Sequence, residues 1–430
     1  MLRALYTLAL HLAAPFLPLR LWWRGRKEPG YRADVGQRFG RYGPAPAQPV
    51  IWIHAVSLGE TRAAQPLVAA LRARYPGHAL LVTHMTATGR QAAAELYGGF
   101  AALAFLPYDL PWAVRRFVAH FRPVIGILME TELWPNLLAE CRARGVPVLL
   151  ANARLSAKSA RGYARIGALA REALAGLAAV GAQTAADAER LAALGAAVVE
   201  VTGNLKFDIA PDPALAERGR ELRARFGTRP VLLAASTREG EEALLLDALA
   251  RAPLAGARAE VLVVIVPRHP QRFDAVAGLL RERRLAFVRR SEARAVPAGC
   301  DYFLGDSMGE LGAYYAAAEV AFVGGSLAPF GAQNLIEACA AGAPVLIGPS
   351  TFNFAQAAAE AVAAGAAIGV PDADALVREA ARLLADAGAR RRMGEAGKRF
   401  CAAHRGATER TMALVARALG GERPPGANQS

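Results

Sequence analysis

Disulfide chemistry is what this 430-residue sequence has least room for. Its four cysteines, Cys141, Cys300, Cys339 and Cys401, lie far apart with no Cys-x-x-Cys pair. That excludes a disulfide framework and a structural zinc site and implies a reducing compartment. Each cysteine reads as a small buried apolar residue. Zinc-finger spacing, an aromatic RNA-binding signature and a long Lys/Arg tract are also missing, so nucleic acid is not an expected partner. There is no short-period repeat and no low-complexity tract, and with 54% hydrophobic and 20% charged side chains the chain is too apolar for disorder. Acid is in deficit: 37 Asp and Glu stand against 51 Lys and Arg, a formal charge of +14. The excess points to an anionic partner, either a phosphate-bearing ligand or an anionic bilayer. The abundance of alanine and arginine over isoleucine and lysine is a genomic bias without functional weight. The length exceeds what one core usually supports and implies two globular domains.

Residues 4–19 carry no formal charge, and Arg20, Arg24, Arg26, Lys27, Arg32, Arg38 and Arg41 follow, with Trp22 and Trp23 at the junction. Sixteen neutral residues fall short of the roughly 20 that span a bilayer. His11, Pro15 and Pro18 weaken a straight spanning helix, and no small-residue cleavage site marks a signal peptide. Indole rings at headgroup level and cations beyond them suit an interfacial anchor, favoured here over a single span. Either arrangement puts the rest of the chain on the cytoplasmic side.

After a proline-rich joint at 43–49, short apolar runs alternate with helical patterns, as a parallel sheet wrapped by helices requires. Strands are expected at 50–54, 80–83, 124–129, 146–151 and 179–182, with helices at 61–74, 135–144 and 185–194. A linker is expected at 208–213, after which strands resume at 231–235, 260–266, 286–289, 302–304, 320–323 and 344–347. The expected architecture is α/β, two Rossmann-like domains facing a cleft. Residues 1–42 form the anchor and basic arm, 43–207 the first domain, 208–216 the linker, 217–420 the second domain and 421–430 a flexible tail. Ligands on such sheets bind beyond the carboxyl ends of the strands.

In the second half, Val320 to Glu337 reads as a buried strand, a glycine-rich loop and a helix beginning near Gln333. Gly324, Gly325 and Gly331 would let backbone amides approach a phosphate, with the positive helix end behind them. Asn334 and Glu337 would share one helix face, where a carboxylate can accept from ribose hydroxyls. Arg268 and His269 end another strand and supply donors for a phosphate or a sugar carboxylate; Gly309 and Glu310 follow a third. Any one of these could be a surface turn, but three at successive strand ends suit a ligand.

In the first half, His54-Ala-Val-Ser-Leu-Gly-Glu60 leaves the first strand. It puts Glu60 at or just before a helix start, where the dipole favours the ionised carboxylate that can take a proton from a hydroxyl. A structural N-terminal carboxylate is the alternative. Met129-Glu-Thr-Glu-Leu-Trp-Pro135 is a second acidic strand end, in which Glu132 either caps the helix begun by Pro135 or has a chemical role. Lys206 places a cation at the end of the domain.

These segments resemble the transferases of 3-deoxy-D-manno-octulosonic acid (Kdo) in lipopolysaccharide biosynthesis. The resemblance rests on HAVSLGE around Glu60, ETELWPN from Glu130 to Asn136, NARLSAKS from Asn152 to Ser159, GNLKFD from Gly203 to Asp208, RHP from Arg268 to Pro270, GDSMGEL from Gly305 to Leu311, and GPSTFNF from Gly348 to Phe354. It runs along essentially the whole chain and implies the glycosyltransferase-B fold, CMP-Kdo as donor and a phosphorylated lipid A precursor as acceptor. It implies Glu60 as base, with Glu130 and Lys206 supporting the transition state. Arg268, His269, Met308, Gly309, Glu310, Asn334, Leu335, Ile336 and Glu337 would hold the CMP moiety. No metal is expected. The chain departs from the family where Gly-Gly-(His or Gln)-Asn-Pro-Leu-Glu-Pro is replaced by Gly331-Ala-Gln-Asn-Leu-Ile-Glu-Ala338. Both prolines are lost, but proline early in a helix is permitted without being required. Two other readings remain open at this stage: a UDP-sugar transferase acting on another lipid or glycan, and a non-catalytic membrane-surface binding protein with the same shell.

Overall fold

The computed structural model describes residues 2–26, 28–210, 212–252, 254 and 261–420. Lys27, Pro211, the start of the strand expected at 260 and the tail expected at 421–430 lie outside them. The chain divides into two units, residues 2–209 with 404–420, and residues 210–403.

The first unit is built on β1 (Val50–His54), β2 (Ala79–His84), β3 (Ala102–Phe105), β4 (Pro123–Met129), β5 (Val148–Ala153), β6 (Ala179–Ala182) and β7 (Val199–Val201), in the order β3-β2-β1-β4-β5-β6-β7. All neighbours are parallel. The reason is legible in β1, every residue of which is buried. Val50 and Trp52 pack into one apolar cluster and Ile51 and Ile53 into another, so helices must cover both faces. Each such aliphatic side chain contributes roughly 1.5–3 kcal/mol by leaving water. Trp52 Nε1 donates to Thr83 Oγ1 at 2.7 Å. Gly126 on β4 makes room for its indole, since a Cβ there would lie 2.7 Å from Trp52 Cε3.

The second unit is built on β8 (Val231–Thr237), β9 (Leu262–Pro267), β10 (Phe287–Arg289), β11 (Tyr302–Leu304), β12 (Val320–Val323), β13 (Val345–Ile347) and β14 (Ala367–Gly369). Its order is β10-β11-β9-β8-β12-β13-β14, again parallel throughout. Sequence order reverses next to β1 in the first sheet and next to β8 in the second. At such a point the loops leaving adjacent strands part in opposite directions and open a crevice for ligand.

Two boundaries differ from the sequence reading. Helix Ala407–Ala418, assigned from sequence to the second domain, belongs to the first unit. Asp208, read as the start of the linker, is what holds it: its carboxylate accepts from Gly406 N at 2.8 Å and from Thr408 N, at the positive end of that helix. Arg410 Nε adds a bond to Thr202 O at 2.8 Å. The helix expected at 61–74 is two, Leu58–Ala63 and Gln65–Arg74, with Pro66 in the first turn of the second.

At the amino terminus, helix Leu2–Ala13, a 3-10 turn at Ala14–Phe16 and helix Leu17–Arg24 follow one another, and together they are long and apolar enough to cross a membrane. Leu5, Leu8, Leu12, Phe16, Leu19 and Trp23 are exposed, at the three- and four-residue spacing of one helix face. Other residues are tied to the first unit. Arg3 pairs with Glu172 at 2.9 Å, and the hydroxyls of Tyr6 and Thr7 donate to Asp109 and Asn136.

Candidate active site

The two acidic segments of the first unit leave β1 and β4, the neighbours on either side of its switch point. Helix Leu58–Ala63 starts earlier than expected because Ser57 caps it, so Glu60 sits inside the first turn and not before it. Ser57 Oγ accepts from Glu60 N at 3.4 Å and donates to Glu60 Oε1 at 2.8 Å, while Glu60 Oε2 accepts from Val56 N at 2.8 Å. The carboxyl is fixed at both oxygens. Sequence reasoning expected the helix dipole to favour its ionised form. The structure shows the opposite balance: burial pushes the Glu60 pKa up to about 8, with Glu130 and then Glu132 adding to the rise and the bonds from Val56 and Ser57 opposing it.

Glu130 follows β4 in a left-handed conformation, φ 56°, that a side chain other than glycine rarely adopts. Glu130 N donates to Ala151 O at 2.8 Å. Lys206 Nζ lies 3.7 Å from Glu130 Oε1, so the structure brings these two predicted residues together. Lys206 is placed by Asn204, whose side chain accepts from Lys206 N at 3.0 Å, and by Asn152, whose Oδ1 accepts from Leu205 N at 3.0 Å. Asn152 is fully buried with φ 55°. The NARLSAKS and GNLKFD segments thus meet at one side chain. Glu132 does not cap the helix Pro135–Ala143; Asp109 does, through Asn136 N at 3.0 Å and Leu137 N at 2.8 Å. Burial, then Glu130, raises the Glu132 pKa to about 7. His54, the first letter of HAVSLGE, is wholly buried, with Nδ1 on Thr83 and its pKa pushed down to about 3, chiefly by desolvation. It is a neutral support for the loop.

In the second unit the glycine loop after β12 corrects a prediction. The amides of its glycines do not face outward: Gly324 N donates to Ala235 O, Gly325 N to Glu241 Oε2 at 2.6 Å and Gly331 N to Ser350 Oγ at 3.0 Å. Glycine is needed for close packing, since a Cβ on Gly324 would lie 2.6 Å from Ser236 O. Glu241, fully buried, also accepts from the amides of Arg238, Leu327 and Ala328 and so pins β8 to the loop. The following helix starts at Leu335, not near Gln333; Gln333 N donates to Gly324 O and Asn334 caps the helix through Ile336 N at 3.2 Å. Asn334 Nδ2 also donates to Glu337 Oε1 at 3.0 Å, so this pair does share a face.

Arg268 and the Gln333-to-Glu337 segment come together: Arg268 Nε donates to Gln333 Oε1 at 3.1 Å, and Arg268 N to Thr237 O at 3.0 Å. His269 beside it is held below the usual histidine range, first by partial burial and then by Arg268 and Arg238. Arg238, which sequence reasoning missed, lies with its guanidinium 4.2 Å from the centre of the Phe330 ring. Its only sequence signal is the charged turn Arg238-Glu-Gly-Glu-Glu242 after a strand. Glu242 neutralises Arg272 through bonds of 2.6 and 2.8 Å, and Arg238 Nε pairs with Glu239 at 3.1 Å; Arg238 and Arg268 bring the positive charge to these strand ends, with His269 beside them as a neutral ring. Met308 is exposed, and Gly309 has φ 79°. The carboxylate of Glu310 is held by Arg290 at 3.1 and 3.2 Å, and Asp306 by Arg289 and Ser291, so this loop is tied to the Arg289–Glu292 turn. GPSTFNF closes over the glycine loop through Ser350 and through Asn353 Nδ2 to Phe330 O at 2.8 Å. Among the described residues, no group of three or more His, Cys, Asp or Glu is placed to hold a metal ion.

Two parallel α/β units, one with a buried carboxylate and one with a cationic group at the switch point, define a two-domain glycosyltransferase of the B type. Residues 245–400 match the model of glycosyl transferases group 1, and residues 33–209 that of 3-deoxy-D-manno-octulosonic-acid transferase (Kdo transferase). The chain is 50% identical over 421 residues to the 3-deoxy-D-manno-octulosonic acid transferase of Bordetella pertussis, covering 95% of this chain and 98% of that one. It is 37% identical over 425 residues to the Haemophilus influenzae enzyme of the same name, covering 96% and 98%. The chain belongs to the Kdo transferase family. The structure of S. aureus MnaA with UDP is similar in fold, with a TM-score of 0.60 at 14% identity over 89% of this chain and 100% of that one.

Proposed function

We propose that the chain is an inverting transferase that moves Kdo from CMP-Kdo to a hydroxyl of a phosphorylated lipid A precursor at the cytoplasmic face of the inner membrane. The observation that carries this reading is Glu60, a buried carboxyl fixed at both oxygens and poised near neutral pH. A base tuned to the working pH combines a usable ionised fraction with a strong pull on the proton. The acceptor oxygen bonds to the anomeric carbon of Kdo on the face opposite CMP as the bond from that carbon to the phosphate oxygen breaks. The hydroxyl proton goes to Glu60, and CMP leaves with the electron pair.

Glu130 and Lys206 lie beside the base and support the transition state, and Lys206 brings positive charge to an acidic sugar or a phosphorylated acceptor. Arg268, oriented by Gln333, meets the charge growing on the departing phosphate. His269, Met308, Gly309, Glu310 and Asn334 to Glu337 complete the CMP site. With the glycine amides turned inward, the positive charge on the phosphate comes from side chains, Arg268 and Arg238 first. No resident metal enters the reading. The exposed apolar stripe of the N-terminal helix, followed by Arg20, Arg24 and Arg26, suits an anionic membrane surface.

Competition binding tests the donor: CMP should displace a fluorescent cytidine nucleotide and UDP should not, and the reverse preference would point to a UDP-sugar. The base has its own signature. Since only ionised Glu60 accepts the proton, kcat/KM should rise about tenfold per pH unit below about 8 and level off above it. Glu130→Gln removes the largest charge that raises Glu60 and should move that limb to lower pH, whatever it does to the plateau. A flat profile from pH 6 to 9, or a limb unmoved by Glu130→Gln, would contradict the assignment.

A further inference from the structure

Among the buried carboxylates, Asp187, at the start of its own helix, ties Leu155 N and Arg190. Asp109 differs, because its partners come from two functional segments. It is 1% exposed. Its Oδ2 accepts from the Tyr6 hydroxyl at 3.0 Å and from Asn136 N at 3.0 Å, and its Oδ1 accepts from Leu137 N at 2.8 Å. The Asn136 side chain closes the circuit, donating to Asp109 O at 2.7 Å and accepting from the Thr7 hydroxyl at 3.0 Å. Asn136 and Leu137 open the helix that directly follows the acidic loop. That loop is held at its start by Glu130 N on Ala151 O and by the Thr131 hydroxyl on Arg154 O, and at its end by Asp109. A loop fixed at both ends keeps an uncommon backbone conformation such as that of Glu130 only while both ends hold.

We propose that Asp109 is a positioning residue that couples the seating of the N-terminal helix to the geometry of the Glu130-to-Glu132 loop. The helix is then a working part of the first unit as well as a membrane anchor. A misplacement of an ångström in such a loop is enough to lower turnover. The inference rests on the reading of Glu130 as part of the reaction site.

The test is the full-length double variant Tyr6→Phe with Thr7→Val, which removes two hydroxyls and preserves shape, compared with the wild-type protein in detergent micelles that also carry the acceptor. Membrane targeting is thereby removed as a variable. Hydrogen exchange of the amides in 130–138 should accelerate, and kcat should fall about fivefold while KM for CMP-Kdo stays within about twofold. Unchanged exchange would overturn the coupling, and so would faster exchange with unchanged kcat. A wild-type protein that transfers no Kdo would sink the proposed function alone, because the exchange result still decides whether helix and loop are coupled.

Discussion

Glu60→Gln is expected to lower kcat about 10³-fold, within the range for loss of a positioned general base, while the CMP dissociation constant stays within a fewfold. Glutamine fits the same site: its carbonyl can take the Val56 amide and its NH2 can meet the Ser57 oxygen, both now bound to the carboxyl. The loss is therefore chemical and not structural. Stability should move the other way. The Glu60 pKa rises from 4.5 to about 8 on folding, so the folded state holds a proton that the unfolded chain releases between those values. Its contribution is fully present below pH 4.5 and is lost as pH rises through 8. A side chain that cannot ionise escapes that loss, so Glu60→Gln should melt at or above the wild-type temperature at pH 9. Initial rates, calorimetric CMP binding and thermal melts check the three statements. Near-normal turnover would remove Glu60 as the base, and a collapsed melting temperature would make the carboxyl a structural cap.

Arg268→Ala is expected to weaken CMP binding about 10- to 100-fold, as losing a hydrogen bond to a charged group does, and to lower kcat with CMP-Kdo as well. The kcat effect follows because charge on the phosphate is greatest as CMP departs. Arg268→Lys should recover only part of the loss, since a single ammonium cannot reproduce the guanidinium fork that Gln333 orients. Titration calorimetry with CMP and steady-state kinetics read both effects. CMP affinity unchanged in Arg268→Ala would move the phosphate elsewhere, Arg238 being the next cation.

What the sequence made legible follows from the range of the interaction involved. Strands such as β1, β9 and β12 are apolar runs bounded by turns, and both their existence and the doubly wound class could be read directly. Ala102–Phe105, Val199–Val201 and Ala367–Gly369 were missed because three or four residues, rich in alanine or broken by Glu200, show no period. The chemistry-bearing residues sat in local motifs, and Glu60, Glu130, Lys206 and Arg268 all lie where their segments leave or approach strand ends. The supports were hidden. Glu241 reaches Gly325 across 84 positions, Asp109 reaches Asn136 across 27, and Asp208 reaches Gly406 across 198. Each looks in sequence like an ordinary acid near a turn. Direction was equally hidden: three glycines predicted a close approach of backbone, but only the fold shows that the approach is to Ser236, Glu241 and Ser350 and not to a ligand. The Glu60 pKa went astray for the same reason. A helix start favours the anion locally, but the burial and the two acids that outweigh it come from the tertiary structure.

The central claim is Kdo transfer itself, and it is tested most directly by incubating the protein with radiolabelled CMP-Kdo, generated in situ, and the tetraacyl lipid A precursor in micelles, then separating lipids by thin-layer chromatography. The account predicts a labelled lipid that forms with wild-type protein and is reduced about 10³-fold with Glu60→Gln. Folded, CMP-binding protein that yields no labelled lipid would contradict it.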